Sequence, residues 1–174
     1  MPEDRTVTQQ KEMDIGDELR AFIGRELSRR TSPPAETSDI RKWAIAGYWP
    51  ETPPRLFWDE EYAKKTRFGG IVAPEDFNPF AWSIEPPQTS MTDADLKDPT
   101  ERIGLGWNVL NGGGGNDYHA RIKPGDVITS VTHLDDIYIR QGKQWPMIFF
   151  IRKSTWKNQN DELVRVNTGI GIHY

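Results

Sequence analysis

From about residue 105 to the C-terminus the chain alternates strand-like runs with short turn strings, and nothing else in the sequence restricts the fold as much. "GLGWNVLNGGGGNDYHARI" reads as strand on both sides of a glycine hinge, and "VITSVTHLDDIYIR", "PMIFFIRKSTWK" and "VRVNTGIGIHY" read as strands. "KPGD", "QGKQ" and "NQNDEL" between them read as turns. Links this short join antiparallel neighbours, because parallel strands need a crossover of a dozen or more residues. The second half is therefore predicted to be a hairpin-connected, antiparallel meander.

Helical signals come first. Between Asp14 and Arg30, Ile15, Leu19, Phe22, Ile23 and Leu27 recur at helical spacing, interrupted by Gly16 and Gly24, which predicts one short helix or two pieces. Thr37 or Ser38 is placed to cap a second helix with a stripe of Ile40, Trp43, Ala44 and Gly47. Asp59 caps a third, "EEYAKKTRF", stopped by Gly69-Gly70. Pro74 suits the first turn of a fourth, running through Phe77, Phe80, Ala81 and Ile84 to Pro86-Pro87. Residues 86–104, with their Pro, Thr and Asp clusters, read as a long excursion outside the core. Residues 1–13 lack any pattern and read as a flexible arm, leaving 14–174 as one domain, since 174 residues suffice for one core and not two. Helices followed by strands predict an α+β fold.

Composition removes several functions. The 22 Lys and Arg are interspersed with 26 Asp and Glu, for a net charge of -4, so no basic surface is on offer to nucleic acid. Cysteine is absent, which excludes disulfides, thiolate catalysis and sulfur-ligated zinc. "MPEDRTVTQQKEMD" has no apolar leader and no run approaches membrane-spanning length, so the expected address is the cytoplasm, with no membrane partner.

Four strings, "SDIRKWAIA", "DEEYAKKTRFGGIVAP", "NGGGGNDYHARIKPGDVIT" and "STWKNQNDELVRVNTG", resemble in order and spacing the MaoC-like acyl dehydratases and (R)-specific enoyl-CoA hydratases, over roughly residues 14–172. The match is to the N-terminal, dehydratase-like domain of that family. The resemblance implies a hotdog fold, with the antiparallel sheet wrapped around a central helix beginning here at Pro74, and pairing of two such units into a double hotdog. It further implies an acyl-thioester substrate, carried by CoA or a carrier protein and entering between the units. Contacts to it would fall on Phe57, Phe68, Gly69, Gly70, Val72, Ala73, Asn111, Gly112 and Gly113. The acyl group stays open among fatty, steroid side-chain, aromatic and branched dicarboxylic types.

Adding water across an enoyl thioester needs a base, an acid, and donors for the thioester oxygen as it becomes an enolate. Active members of the family place an Asp and a His in a D-x-N-P-x-H motif ahead of the helix that reads "DEEYA" here. Counting back from Asp59 puts Thr52 and Phe57 in those positions, and the first histidine of the chain is His119, so residues 1–118 cannot supply the motif. Asp76-Phe77-Asn78-Pro79 imitates its front half, with Ala81 in the histidine position, but falls on the expected central helix and is read as coincidence. At the start of that helix Ala73-Pro74-Glu75 replaces the family's A-H-G, and proline has no N–H to offer the thioester oxygen. No catalytic residue is expected in this chain. It reads as the non-catalytic half of a two-chain hydratase or (3R)-hydroxyacyl dehydratase, in a hetero-oligomer with a catalytic hotdog chain.

Other readings stand beside it. Glu51, Asp117 and His119 are fallback catalytic residues for a self-sufficient homodimer, Asp117 and His119 sharing one face of a strand. A non-enzymatic acyl-thioester binder or scaffold is the third. His133 and His173 have no spaced metal partners, and neither a metal nor a redox cofactor is implied. Glycines 112 to 115 would let the backbone approach a pantetheine chain or a partner strand closely, or form a bulge where the sheet bends. Trp43, Tyr48, Trp49, Phe57 and Trp58 surround the vacant motif with aromatic bulk, Trp43 as filling and Phe57 as an apolar wall for the acyl group. The 86–104 excursion would serve as lid or tunnel wall.

Overall fold

A computed structural model describes residues 13–174. Its elements in chain order are α1 (Gly16–Arg20), β1 (Glu26–Thr31), α2 (Thr37–Tyr48), a 3-10 turn (Arg55–Phe57), α3 (Glu60–Lys64), a second 3-10 turn (Pro79–Trp82), β2 (Gln88–Thr89), α4 (Asp93–Arg102), β3 (Val109–Tyr118), β4 (Thr129–Gln141), β5 (Pro146–Lys157) and β6 (Leu163–His173). The strands form one sheet in the order β2-β1-β4-β5-β6-β3, with every pairing antiparallel. The meander is thus present as the turn strings require. The expected arm lies outside the described residues up to residue 12, while Met13 already bridges Ile139.

A single bulge keeps the long strands in one core. On β4 the buried residues are Ser130 and Leu134, then Ile137 and Ile139, so the period of two slips by one residue. The ladder shifts at this point, Leu134 facing Arg152 and Asp136 facing Ile151, which absorbs the extra residue and leaves all four side chains on the inner face. Two apolar clusters form on that face. Leu19, Leu96, Leu134, Ile148 and Phe150 anchor one, against α1 and α4. Ile40, Phe77, Phe80, Ile128 and Trp156 anchor the other, beneath α2 and the segment from Ile71 to Phe80.

Four expectations need correction. The helix predicted for residues 14–30 stops at Arg20, and Glu26–Thr31 is a strand, because Gly24 at φ +85° turns the chain back onto β4 and its N–H bonds the Leu134 carbonyl. The helix expected at Pro74, which was to be the central one, does not form. Residues 75 and 76 make a turn, and only Pro79–Trp82 coils, as 3-10. Pro79 disfavours helical geometry at the residue before it, so Asn78 is extended and instead accepts from the Phe80 N–H as a cap. The 86–104 excursion is core after all: β2 pairs with β1, and α4 buries Leu96, Pro99 and Thr100. Its Thr92 and Asp95 form a capping box that the polar composition concealed. Finally, α2 starts after Glu36, so neither Thr37 nor Ser38 is its cap. The Asp59 cap of α3 holds, its carboxylate accepting from the Tyr62 N–H at 2.9 Å.

The glycine run forms a bulge and, within the sheet, lets β3 lie close to β6. The β3–β6 register shifts between Asn111 and Gly114, with Gly113 at φ +87°, and a Cβ on Gly114 would sit 2.1 Å from the Thr168 carbonyl oxygen. Gly114→Ala should cost about 1–3 kcal/mol in chemical denaturation, whereas Gly115→Ala, which meets nothing within 4 Å, should stay near wild type. Equal losses at both positions would refute the close-approach account.

His173 is enclosed between the rings of Trp107 and Phe150, with Nδ1 lacking a hydrogen-bond partner. Burial holds its pKa below the usual 6.5; Asp93 opposes this shift and Arg152 adds to it. The unfolded chain takes up the proton near pH 6.5 and the folded one resists it, so stability is full above that pH and falls as pH drops through it. A Tm series against pH should show this decline, and His173→Phe should flatten it.

Candidate functional site

Two adjoining grooves lie at the end of the sheet where β3 runs out. The inner one, about 410 Å³, is walled by Trp43, Gly47 and Tyr48 of α2, by Phe57, and by Glu75, Asp76, Tyr118 and Arg121. The outer one, about 440 Å³, continues past Glu75, Tyr118 and Arg121 to Arg67, Phe68 and His119. Gly47 faces Asp76 across the inner groove, where a Cβ would meet the carboxylate only at ordinary contact distance, 4.0 Å. Arg121 fastens one wall: Nη2 pairs with Glu75 Oε1 at 2.8 Å and Nη1 reaches the Ala73 carbonyl at 3.5 Å, tying the 73–75 turn to the exit of β3.

The predicted site residues divide between these grooves and other places. Phe57 is buried at 6 % exposure, its ring tilted against that of Tyr48 with centroids 6.0 Å apart, and it lines the inner groove. Phe68 and His119 line the outer groove. Thr52 and Glu51 are exposed in the bend after α2, outside both grooves. Val72 and Ala73 are at 0 % exposure in the core, so their side chains offer no surface to a substrate. Gly69 and Gly70 lie just upstream in the turn after α3. Asn111, Gly112 and Gly113 sit towards the opposite end of β3 from Tyr118, roughly 15–25 Å away at strand rise, and the Asn111 side chain is spent on the Gly113 N–H. The Asp117 and His119 pair does not assemble. β3 ends at Tyr118, and the N–H groups of His119 and Ala120 both turn onto the Val164 carbonyl, which takes His119 out of strand alternation.

At the start of the 73–75 turn neither Ala73 nor Pro74 offers a free backbone donor. The Ala73 N–H bonds the Ile122 carbonyl at 2.8 Å, Pro74 has none, and no helix begins there to lend its dipole.

Sequence reasoning missed Tyr118, Arg121, Asp76 and Arg165. The register puts Arg30, Ser130, Trp156, Arg165 and Tyr118 in one row across the inner face of five strands. Arg165 lies 3.4 Å above the Trp156 ring and Arg30 lies 4.0 Å above that of Phe80, while Phe80 and Trp156 meet edge to face. Burial lowers the pKa of both guanidiniums. A signal was present in the alternation of "LVRVN", where a cation stands between apolar residues in a strand packed on both faces.

Residues 21–167 match the model of a family described as FAS1-like, dehydratase domain region. The chain belongs to that family. No curated protein matches this dehydratase domain. Among solved structures it is similar to a chain of the ChsH1–ChsH2 complex from Mycobacterium tuberculosis, at 18% identity and TM-score 0.70, over 92% of this chain and 91% of that one. The MaoC-like dehydratase from Rhodospirillum rubrum is similar at 20% identity and TM-score 0.55, over 87% and 92%. A chain of the HadBC (3R-hydroxyacyl-ACP dehydratase) complex from M. tuberculosis is similar at 14% and TM-score 0.57, over 87% and 96%. These likenesses identify the six-stranded antiparallel sheet of this dehydratase domain as a hotdog fold. Among the described residues no helix is long and apolar enough to cross a membrane.

Arg121→Met keeps the stem and removes the clasp. It should cost about 1 kcal/mol, given the partial exposure of Glu75, and should raise amide hydrogen exchange at Ala73 more than at Leu134. Unchanged exchange at Ala73 would show that the turn is held by other means.

Proposed function

We propose that this dehydratase domain is the non-catalytic half of a two-chain enoyl-thioester hydratase or (3R)-hydroxyacyl dehydratase, bound to a hotdog chain that supplies the Asp and His. One observation carries the reading. The position of the motif histidine, by the resemblance, is filled by a buried phenylalanine, Phe57, and the adjoining turn has its Ala73 amide already engaged. The frame of the family is kept and the chemistry is not.

In the hydration direction a base removes a proton from water as its oxygen bonds to the β-carbon, and an acid delivers a proton to the α-carbon. Both transfers need groups that titrate within reach of the substrate. The inner groove offers Asp76 and Glu75, but no imidazole and no unengaged N–H at residues 73 and 74. What it can contribute is a wall: Trp43, Tyr48 and Phe57 exclude water from one side of an acyl chain, and Tyr118 and Arg121 close the other. The reaction itself needs neither metal nor redox cofactor.

Pairing is supported by β3. One edge of this strand bonds β6; the other carries no strand among the described residues, and Val109, Leu110 and Tyr118 along it are exposed. Two of the similar structures are complexes of two named components, ChsH1–ChsH2 and HadBC. The homodimeric alternative, resting on His119, has less behind it, since His119 and Asp117 are exposed and are not hydrogen-bonded to each other in the structure.

The test is to purify the chain alone and co-expressed with a hotdog chain carrying the full motif, then to measure mass in solution and hydration of crotonyl-CoA. Activity and a mixed oligomer should appear only with both. An ordinary turnover rate from this chain alone would overturn the proposal, and acyl-thioester binding without turnover beside every motif-bearing partner would leave a binder or scaffold.

A further inference from the structure

The inner face of the sheet is not apolar throughout. Between the two core clusters the register sets a row of polar side chains, Ser28, Thr132, Ser154, Asn167 and Asn116, across five strands. Thr132 and Ser154 share a hydrogen bond of 2.7 Å, and the Asn167 amide donates to Asn116 Oδ1 at 3.0 Å. The row ends on β3, one step from Tyr118 and so from the inner groove. On its flank stand Arg30 and Arg165, close enough for their charges to repel. Neither makes an ion pair among the described residues. Asp76 acts on Arg165 at longer range, and Tyr118 offers it a hydroxyl. The Arg165 Nε is buried with no hydrogen-bond partner.

This is a costly arrangement for a small domain. A buried guanidinium is normally met by a carboxylate, and a donor left unbonded away from water costs about 1–3 kcal/mol. Stacking on Trp156 and Phe80 covers one face of each cation and the Tyr118 hydroxyl lies by Arg165, but Arg165 Nε has no partner, and no carboxylate pairs with the remaining N–H groups of Arg165 or of the solvent-exposed Arg30. Those groups lie in the guanidinium plane, the geometry that receives a carboxylate through paired hydrogen bonds. Arg165 also lines the narrow crevice of Pro74, Phe77, Tyr118 and Arg121 that adjoins the inner groove.

We infer that Arg165, with Arg30 behind it, binds a carboxylate carried on the far part of the acyl group, so that the thioester is a mono-CoA or carrier ester of a dicarboxylic acid. This rests on the proposed acyl-thioester function and narrows its substrate class. The aromatic wall of the inner groove takes the methylenes between.

Titration calorimetry on the co-expressed complex of this chain with its motif-bearing hotdog partner tests it with adipoyl-CoA against hexanoyl-CoA, suberoyl-CoA against octanoyl-CoA, and free CoA. One dicarboxylic ester should bind about tenfold or more tightly than its monocarboxylic counterpart. Arg165→Gln and, separately, Arg30→Gln should erase that preference while the monocarboxylic affinity holds, and Arg165→Lys should restore part of it. If either Gln variant melts early, the other carries the comparison. Equal affinity within both pairs would overturn the inference and leave the thioester function standing. Equal weakening of every ligand, free CoA included, would assign the cations to a CoA phosphate and overturn it likewise. No binding of any ester would refute the thioester function, and the inference with it.

Discussion

The antiparallel ladder of β4 on β5 and of β5 on β6 is the constraint from which the other features follow. Its register decides which residues share the inner face, and the bulge at Leu134 and Asp136 is what lets two segments of β4 with opposite parity serve one core. Were that residue not absorbed, Ile137 and Ile139 would point outward and Asp136 and Tyr138 inward, exchanging apolar for polar burial along half the strand. The same register fixes the polar row and the two arginines. They are therefore part of the sheet's construction, set by the same pairings that assemble the two apolar clusters.

With no central helix at Pro74, the inner face is covered in pieces. α2 and the Ile71–Phe80 segment lie over one cluster, α1 and α4 over the other. A continuous helix would require Asn78 to be helical immediately before a proline. The division leaves a seam, and the polar row lies along it. A polar strip there costs less than it would beneath a close-packed helix, because groups at a seam keep partial contact with water or with a ligand.

How much of this was legible depends on the range of the physics involved. The four long strands, their turns and the Asp59 cap were readable because alternation and capping act within a few residues. β1 was not, since "RELSRR" has too few apolar residues to show alternation and becomes strand only by pairing with β4. α4 was hidden because it buries one narrow stripe, Leu96 and Thr100, under a composition typical of loops. At the site, the absence of histidine before His119 was readable directly, and the aromatic string around Phe57 was visible though its place beside the groove was not. Tyr118, Arg121 and Arg165 were not, because their meeting is made by strand register and a turn some fifty residues distant in sequence, and no local pattern encodes either.

The replacement of catalytic groups by aromatic ones that the proposed function implies has its own energetic logic. A histidine at a substrate-facing position must keep a polar ring partly solvated and poised near its ordinary pKa, which stabilises the fold little. A phenylalanine at 6 % exposure, packed with Ala44 and Val72, is worth about 3–5 kcal/mol by the usual cost of its removal. For a domain whose total stability is of the order of 10 kcal/mol, that is a large share. Once another chain provides the base and acid, nothing opposes such a substitution, and the vacated position becomes part of the core. Reinstating histidine at Phe57 alone would therefore remove packing before it supplied chemistry, because the Ala73 amide would still be engaged by the Ile122 carbonyl. On the proposed function, loss of the imidazole position and engagement of that amide reinforce each other, and together they would make the half-site a stable end point rather than a damaged enzyme.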